Sequence, residues 1–440
     1  MRGRTEEASG RDGRLWRFLS IGVAVSLTAF VIAVNALLHV PSTSLAPRSS
    51  EREGEVVAQL RFLEDAIGRG AARDMQRIYP EGFFFQHVLT GLAWCDLAKE
   101  SADAGLKREA SAAARKALAA IESKEGTRIF PEEIVPKYGV FWTAWTSLLR
   151  GKIVALDGPK TDSALFLRWR AGLDDIASAY AGKENPYQPS YVEMAWSGDN
   201  VMAMLALASH DRLLDTARYQ GTMRKWVAQV RTTLDPNTGT PPFELEHPSG
   251  RVVRSTRGSS QTLFAWAMTE IDTSFAREQY QQLRKHFFAT RLGLPVVLEY
   301  PPDSAGMADY DSGPVIWGVG ASATIVTLAT ARKFGDSAFA QALESTIRFF
   351  GVPVRFNGRT AFAFRQMPVG DAWIAWARTS TPVQGVRMDE WPVSPRWTWI
   401  IHGLSIGCVL AMWGIVWLVW RRGRIVRTEP GESDDESLVN

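Results

Sequence analysis

Cysteine is nearly missing: two in 440 residues, Cys95 and Cys408, the second inside a long apolar run. They offer no disulfide, so any part outside the cytoplasm must be stable through its core. Six histidines, at positions 39, 87, 210, 247, 286 and 402, form no i,i+4 zinc pair and are not joined by cysteines. No metal and no cofactor is expected. A Gly-x-Ser-x-Gly elbow, a phosphate loop and a Gly-x-Gly-x-x-Gly turn after a strand are also missing. Excess charge is small, formally +3, and the clustered arginines sit beside hydrophobic ends, so nucleic acid is not an expected partner.

Apolar residues make up 46% of the chain, enough for a sizeable core in one large domain or two ordinary ones. Lys, Arg, Asp and Glu do not occur from Phe18 to Val40 or from Trp399 to Trp420. About 20 such residues in a helix cross a hydrocarbon layer roughly 30 Å thick. Trp397, Trp399, Trp417 and Trp420 lie at the edges of the second run, where amphipathic rings favour the headgroup level. Arg2, Arg4, Arg11, Arg14 and Arg17 precede the first run, and Arg421, Arg422, Arg424 and Arg427 follow the second.

Because positive charge is retained in the cytoplasm, the expected order is a cytoplasmic tail over 1–17, a span over 18–40, an extracytoplasmic domain over 41–396, a span over 397–420 and a cytoplasmic acidic tail over 421–440. The expected location is the cell membrane, with a periplasmic domain in the cell envelope. A cleaved signal peptide fits Val34 and Ala36, but the apolar stretch exceeds the usual 7 to about 15 residues. Gly313 to Ala331 is also free of charge, yet a third span would put the last arginine cluster outside, so it reads as a core helix. Glu429 to Asn440 is acidic and poor in apolar residues, which predicts disorder.

Between the runs, a 3.6-residue period predicts helices of two kinds. Six are amphipathic: Glu51 to Arg69, Gly105 to Ser123, Asp162 to Ala181, Asp211 to Leu234, Ser274 to Thr290 and Asp336 to Phe350. Six are apolar almost all round: Phe83 to Ala98, Val140 to Leu156, Asn200 to Ser209, Ser259 to Thr269, Ser312 to Ala331 and Ala372 to Thr379. A helix apolar on every face is buried, whereas a charged stripe faces water. Strict alternation therefore predicts an all-α fold, an (α/α)6 toroid of six helical hairpins, with an irregular solenoid as the competing arrangement. Pro295 to Tyr300, Arg251 to Ser255 and a hairpin around Asn357-Gly358 within Val352 to Met367 are the minor strand signals.

In such a ring the turns leading into the inner helices surround one mouth. They read Tyr79-Pro80-Glu81-Gly82, Pro136-Lys137-Tyr138-Gly139, Trp196-Ser197-Gly198-Asp199, Thr256 to Gln261, Asp309 to Gly313 and Pro368-Val369-Gly370-Asp371. Each polar residue here has a plain role as a helix cap. As a set, however, Glu81, Asp199, Asp309, Asp311, Asp371 and Arg257 would face one funnel with Tyr79, Tyr138, Trp142, Trp196, Tyr310 and Trp317. Carboxyls in a cleft can divide acid and base roles, and aromatic rings beside them suit sugars. Arg257 could grip an anionic group. Asp235, Asn237 and Glu246 imitate calcium-loop spacing, but Gly239 is one place early and prolines interrupt it, so a turn is expected. Ser259 and Ser260 have no histidine in any of the six turns and read as caps.

Tyr-Pro-Glu-Gly-Phe-Phe-Phe at 79 to 85, Arg-Gly-Ser-Ser-Gln at 257 to 261 and Asp-Ser-Gly-Pro at 311 to 314, with the alternating helices, resemble the six-hairpin glycosidase-like superfamily over roughly Glu51 to Ser380. That superfamily includes glycoside hydrolases, polysaccharide lyases and the linalool dehydratase/isomerase group. The last relies on cavity cysteines, and Cys95 falls deep in the first inner helix instead. The expectation is an anchored envelope protein that binds or cleaves a glycan or lipid-linked saccharide, with Glu81, Asp199 and Asp311 as acid/base groups and Arg257 orienting substrate. The alternatives are a noncatalytic scaffold in an envelope protein complex, or a lyase of the linalool type acting on a small apolar substrate. Membrane lipid is an expected partner.

Overall fold

The apolar and amphipathic periods each resolve into helix in a computed structural model that describes residues 2–41, 50–302, 304 and 306–425. The chain divides into two compact units, Pro41–Pro395 and a second formed by Met1–Val40 with Arg396–Asn440.

In the larger unit the outer helices are α2 (Ser50–Gly68), α5 (Ala104–Ile121), α8 (Ser163–Tyr180), α10 (Gln220–Arg231), α12 (Thr273–His286) and α14 (Ser337–Gly351). The inner helices are α4 (Gly82–Glu100), α7 (Gly139–Asp157), α9 (Ser197–Leu213), α11 (Gly258–Met268), α13 (Ala321–Lys333) and α15 (Pro368–Thr379). Short helices α3 (Ala71–Gln76) and α6 (Lys124–Thr127) fill two connections. Each inner helix packs on the next, and α15 returns to α4, so the ring closes on itself. This is an (α/α)6 toroid, and closure excludes the solenoid. Because the unit closes its own ring and buries its own core, it meets the structural definition of an independent domain.

Closure is locked by a buried polar network. Arg378 of α15 donates to Glu344 of α14 at 3.1 Å and to Gln59 of α2 at 3.2 Å, and it also pairs with Glu55 of α2. Arg348 of α14 reaches Glu55 at 2.6 Å. First and last hairpins, almost 300 residues apart in the chain, are thus joined by charge-assisted hydrogen bonds. At the end of the barrel where the inner helices finish, Lys333 pairs with Glu270 at 2.5 Å and lies 3.7 Å from the Trp266 ring, and Lys152 pairs with Asp96. These ion pairs plug that end.

Three predicted helices are corrected, the one expected over Ser274 to Thr290 ending at His286 because Phe288 to Thr290 enter a strand. The helix expected over Asp211 to Leu234 starts only at Gln220, because α9 runs on to Leu213. Asp211 is buried in the last turn of α9 and accepts the Tyr219 N–H at 2.8 Å, tying the two helices together rather than opening one. The helix expected over Ser312 to Ala331 starts at Ala321.

Before it stands a hairpin of β6 (Val315–Ile316) and β7 (Val319–Gly320), turned through Trp317 and Gly318 at φ 52° and 80°. The strands expected near 295, 252 and 357 are β5 (Leu294–Val297), paired with β4 (Phe288–Arg291); β3 (Val252–Arg254), paired with β2 (Glu244–Glu246); and β8 (Val354–Phe356), paired with β9 (Arg359–Ala361). An additional strand, β1 (Met194–Trp196), joins β2.

The smaller unit holds α1 (Arg2–Leu37) and α16 (Trp399–Ile425) side by side. Trp16–Leu37 and Trp399–Arg421 are each long and apolar enough to cross a membrane. They run antiparallel: Trp413 donates to Thr28 at 3.0 Å, Asn35 donates to Ser405 at 2.9 Å, and His39 meets His402 at 2.8 Å. Arg17 lies over Trp420 at 5.9 Å, so these two residues stand at the same end of the pair. The acidic tail from Glu429 lies outside the described residues.

Candidate active site at the mouth of the toroid

Outer helices α5, α8 and α12 open on Asp103, Asp162 and Asp272, whose side chains accept a backbone N–H of their own first turn. At the inner helices, the cap residues Glu81, Tyr138, Trp196, Arg257, Gly320 and Met367 make no such bond. The polar residues of the mouth therefore serve something other than their own helix ends. Glycine at these starts has a steric reason: a Cβ at Gly258 would lie 2.1 Å from the Leu298 carbonyl oxygen, and one at Gly139 2.2 Å from that of Ser190.

Glu81 opens α4 and accepts the Tyr191 hydroxyl at 2.5 Å. Tyr191 comes from the segment before α9, which Asn200 fastens by accepting from Tyr180 at 2.5 Å and from the Gln188 N–H at 2.7 Å. On the facing loop, Asp311 accepts the Tyr79 hydroxyl at 3.0 Å. Burial pushes the Glu81 carboxyl up to about 7 against the Tyr191 bond, with Asp311 adding to the rise. Asp199, in the first turn of α9, is raised well above the carboxylate range by burial, with Asp311 and Glu81 adding to it. Its Oδ2 has no hydrogen-bond partner among the described residues. Asp311 is also raised by burial, opposed chiefly by Arg257. The three carboxyls selected from sequence thus share one electrostatic environment.

Arg257 is 3% exposed and enclosed by carboxylates: Asp309 at 2.6 Å, Glu299 at 3.4 Å and Asp311 at 3.8 Å. Its guanidinium lies 3.9 Å from the Phe243 ring centre. Asp309 also takes Arg254 at 3.2 Å; burial works to raise it, but Arg257 and the Ser312 N–H prevail and hold it below its ordinary value. Glu299 is fully buried and accepts the Ser259 hydroxyl at 2.6 Å, and burial pushes it up to about 7 despite Arg257.

Several expected site residues stand elsewhere. Asp371 is buried in the wall, where it accepts from the Phe362 N–H at 3.0 Å and from Gln59 at 3.2 Å, and burial pushes it up to about 7. Trp142 faces outward, donating its indole N–H to the Ile121 carbonyl of α5 at 3.2 Å. Tyr138, at φ 67°, bonds Glu132 at 3.2 Å on the rim. Tyr310 and Trp317 are 68% and 69% exposed. Trp196 does line the interior, with ring centres 5.3 Å from Tyr191 and 6.0 Å from Phe243.

Tyr191, Glu299 and Phe243 escape a reading confined to the lead-in turns. Glu299 was visible only as a polar residue within the strand signal, and Tyr191 sits five residues before Trp196. Among the described residues no three His, Cys, Asp or Glu side chains group closely enough for a metal ion.

Neither protein-family profiles nor curated proteins match the chain. Solved structures with a similar fold include a GH76 α-mannanase from Bacteroides thetaiotaomicron, at 8% identity and a TM-score of 0.42, covering 67% of this chain and 84% of that one. An inactive variant of an α-1,6-mannanase from Salegentibacter sp., in complex with α-1,6-mannotriose, is 9% identical at a TM-score of 0.46, covering 74% of this chain and 99% of that one. A D-mannose isomerase is 10% identical at 0.43, covering 67% and 86%. At such scores these likenesses carry no argument about residues or reaction. The fold and the mouth define an (α/α)6 toroid of six helical hairpins with a buried carboxyl cluster at the inner-helix N-termini.

Proposed function

We propose that the mouth cleaves a glycosidic bond by acid/base catalysis, in an envelope domain anchored by α1 and α16 with both tails in the cytoplasm. The observation that carries this reading is the cluster of Glu81, Asp199 and Asp311, none capping its helix and each perturbed by its neighbours. Glu81, protonated near neutrality, gives a proton to the leaving oxygen. Asp311, steadied as a carboxylate by Arg257 and 30% exposed, activates water or attacks the sugar carbon. Asp199 stays protonated and donates to a sugar oxygen through its unpartnered side.

Arg257 does not serve as an anion grip, because three carboxylates already occupy it. Arg257 and Arg254 are already paired with Asp309, Asp311 and Glu244, which leaves neither of them spare for a carboxylate or phosphate on the saccharide and supports hydrolysis over elimination from a uronate. The linalool-type reading loses support, since Cys95 is fully buried and its thiol is raised far above the usual range by burial. The test is release of reducing ends from panels of neutral, amino and uronate oligosaccharides by the full-length protein. Glu81→Gln and Asp311→Asn should each lower turnover at least about a hundredfold. Unchanged turnover in both would leave a noncatalytic binding role.

A further inference from the structure

Each of the six segments leading into an inner helix exposes a large apolar side chain: Ile78, Val135, Val192, Val252, Trp317 and Met367. The five turns linking inner to outer helices at the opposite end expose none among the described residues. Large exposed apolar groups are commonplace singly, but their gathering at one end marks a contact surface. Here the surface is an apolar rim around the acidic mouth.

Rim and floor are continuous within three residues. Asp309 bonds Arg257 at 2.6 Å, Asp311 bonds Tyr79 at 3.0 Å, and Tyr310 between them stands out in solvent. Seven residues after Tyr310, Trp317 is exposed at the tip of the β6–β7 hairpin, whose two-residue turn sets it in left-handed backbone. A protein or a flat bilayer laid across all six segments would seal the carboxyls away. An occupant that uses both surfaces has a polar head that enters and an apolar portion that remains on the rim.

We propose that the mouth takes an amphiphile: a saccharide head among the carboxyls and a hydrocarbon tail lying over Tyr310 and Trp317. This rests on the glycan reading of the same mouth, and binding rather than turnover tests it. The toroid freed of α1 and α16 would be titrated with methyl, butyl, hexyl and octyl glucosides below their micellar concentrations. Affinity should tighten about three- to fourfold per added methylene, as tail burial requires. Tyr310→Ser with Trp317→Ser should flatten that dependence while circular dichroism and Tm stay unchanged, both side chains being exposed; Trp317→Ser alone should weaken it partly.

Affinity indifferent to chain length, or a slope unaltered in the double variant, would overturn the proposal. So would a slope lost only alongside self-association of the wild type, or alongside its binding to phosphatidylcholine vesicles, since these give the rim to a second copy or to a bilayer. Full turnover by Glu81→Gln would remove the hydrolase reading without altering the chain-length result.

Discussion

Tyr191 donates its hydroxyl to Glu81 at 2.5 Å, from a loop 110 residues further along the chain. The bond favours the ionised carboxyl and so opposes the rise that burial causes. Removing it with Tyr191→Phe should move Glu81 upward from about 7, by about one unit for the loss of one charge-assisted hydrogen bond. A carboxyl-carbon NMR titration reads this directly, and the alkaline limb of a pH–rate profile should move with it. A titration that stays in place would show that Tyr191 does not tune Glu81.

Stability should fall as pH rises from 5 to 8. Glu81, Glu299 and Asp371 are pushed to about 7 and burial raises Asp199 as well, whereas in the unfolded chain such groups titrate near 4. Between those values the folded state holds protons that the unfolded state has released. The stabilisation is complete below the unfolded pKa and is lost through the folded one, at about 1.4 kcal/mol per pH unit per group. Glu55, lowered by its pairing with Arg378 and Arg348 although burial opposes this, is already ionised across the window. Glu299→Gln and Asp371→Asn should each flatten the slope of unfolding midpoint against pH. A midpoint that climbs from pH 5 to 8 would contradict the assignment.

Arg378 is 1% exposed and bonds Glu344, Gln59 and Glu55 across the ring seam. Arg378→Met leaves the Glu344 carboxylate buried with one partner fewer, and should cost about 3–5 kcal/mol in urea unfolding. Arg61→Met, which removes an exposed ion pair with Glu109, should cost less than about 1 kcal/mol. Equal losses would place no special weight on the seam.

Asp371→Ala should lower stability by about 1–3 kcal/mol, because the Phe362 N–H is left without its acceptor. Turnover at a temperature where the variant is folded should match the wild type. A hundredfold loss of turnover would instead bring Asp371 into the mouth.

Asn35 joins α1 to α16 through Ser405 and His402. Asn35→Leu should weaken the pairing of the two helices in detergent by about 0.6–2 kcal/mol. Energy transfer between fluorophores attached near residues 17 and 421 would report it.

Local patterns carried much of the architecture. Alternating charged and apolar periods determined the order of the hairpins, since burial on every face follows from composition alone, and Asn357-Gly358 placed its strand pair because two left-handed residues in a row define that turn. Where sequence reading failed, a distant contact overrode the local signal. Asp211, a good cap by type, was drawn into the end of α9 by Tyr219, and the uncharged run from Ser312 was bent into a hairpin when the Gly318 carbonyl paired with the Glu299 N–H.

The choice of carboxyls in the mouth was legible because the ring brings six turns together. Their partners were not: Tyr191, Tyr79 and Glu299 meet Glu81, Asp311 and Arg257 only through closure of the barrel. Sequence set Glu81, Asp199 and Asp311 in the segments that lead into inner helices, because helix order is a local property. Tertiary structure alone decided that Arg257 is spent on carboxylates and that Asp371 belongs to the wall, because burial and pairing are properties of segments far apart in the chain.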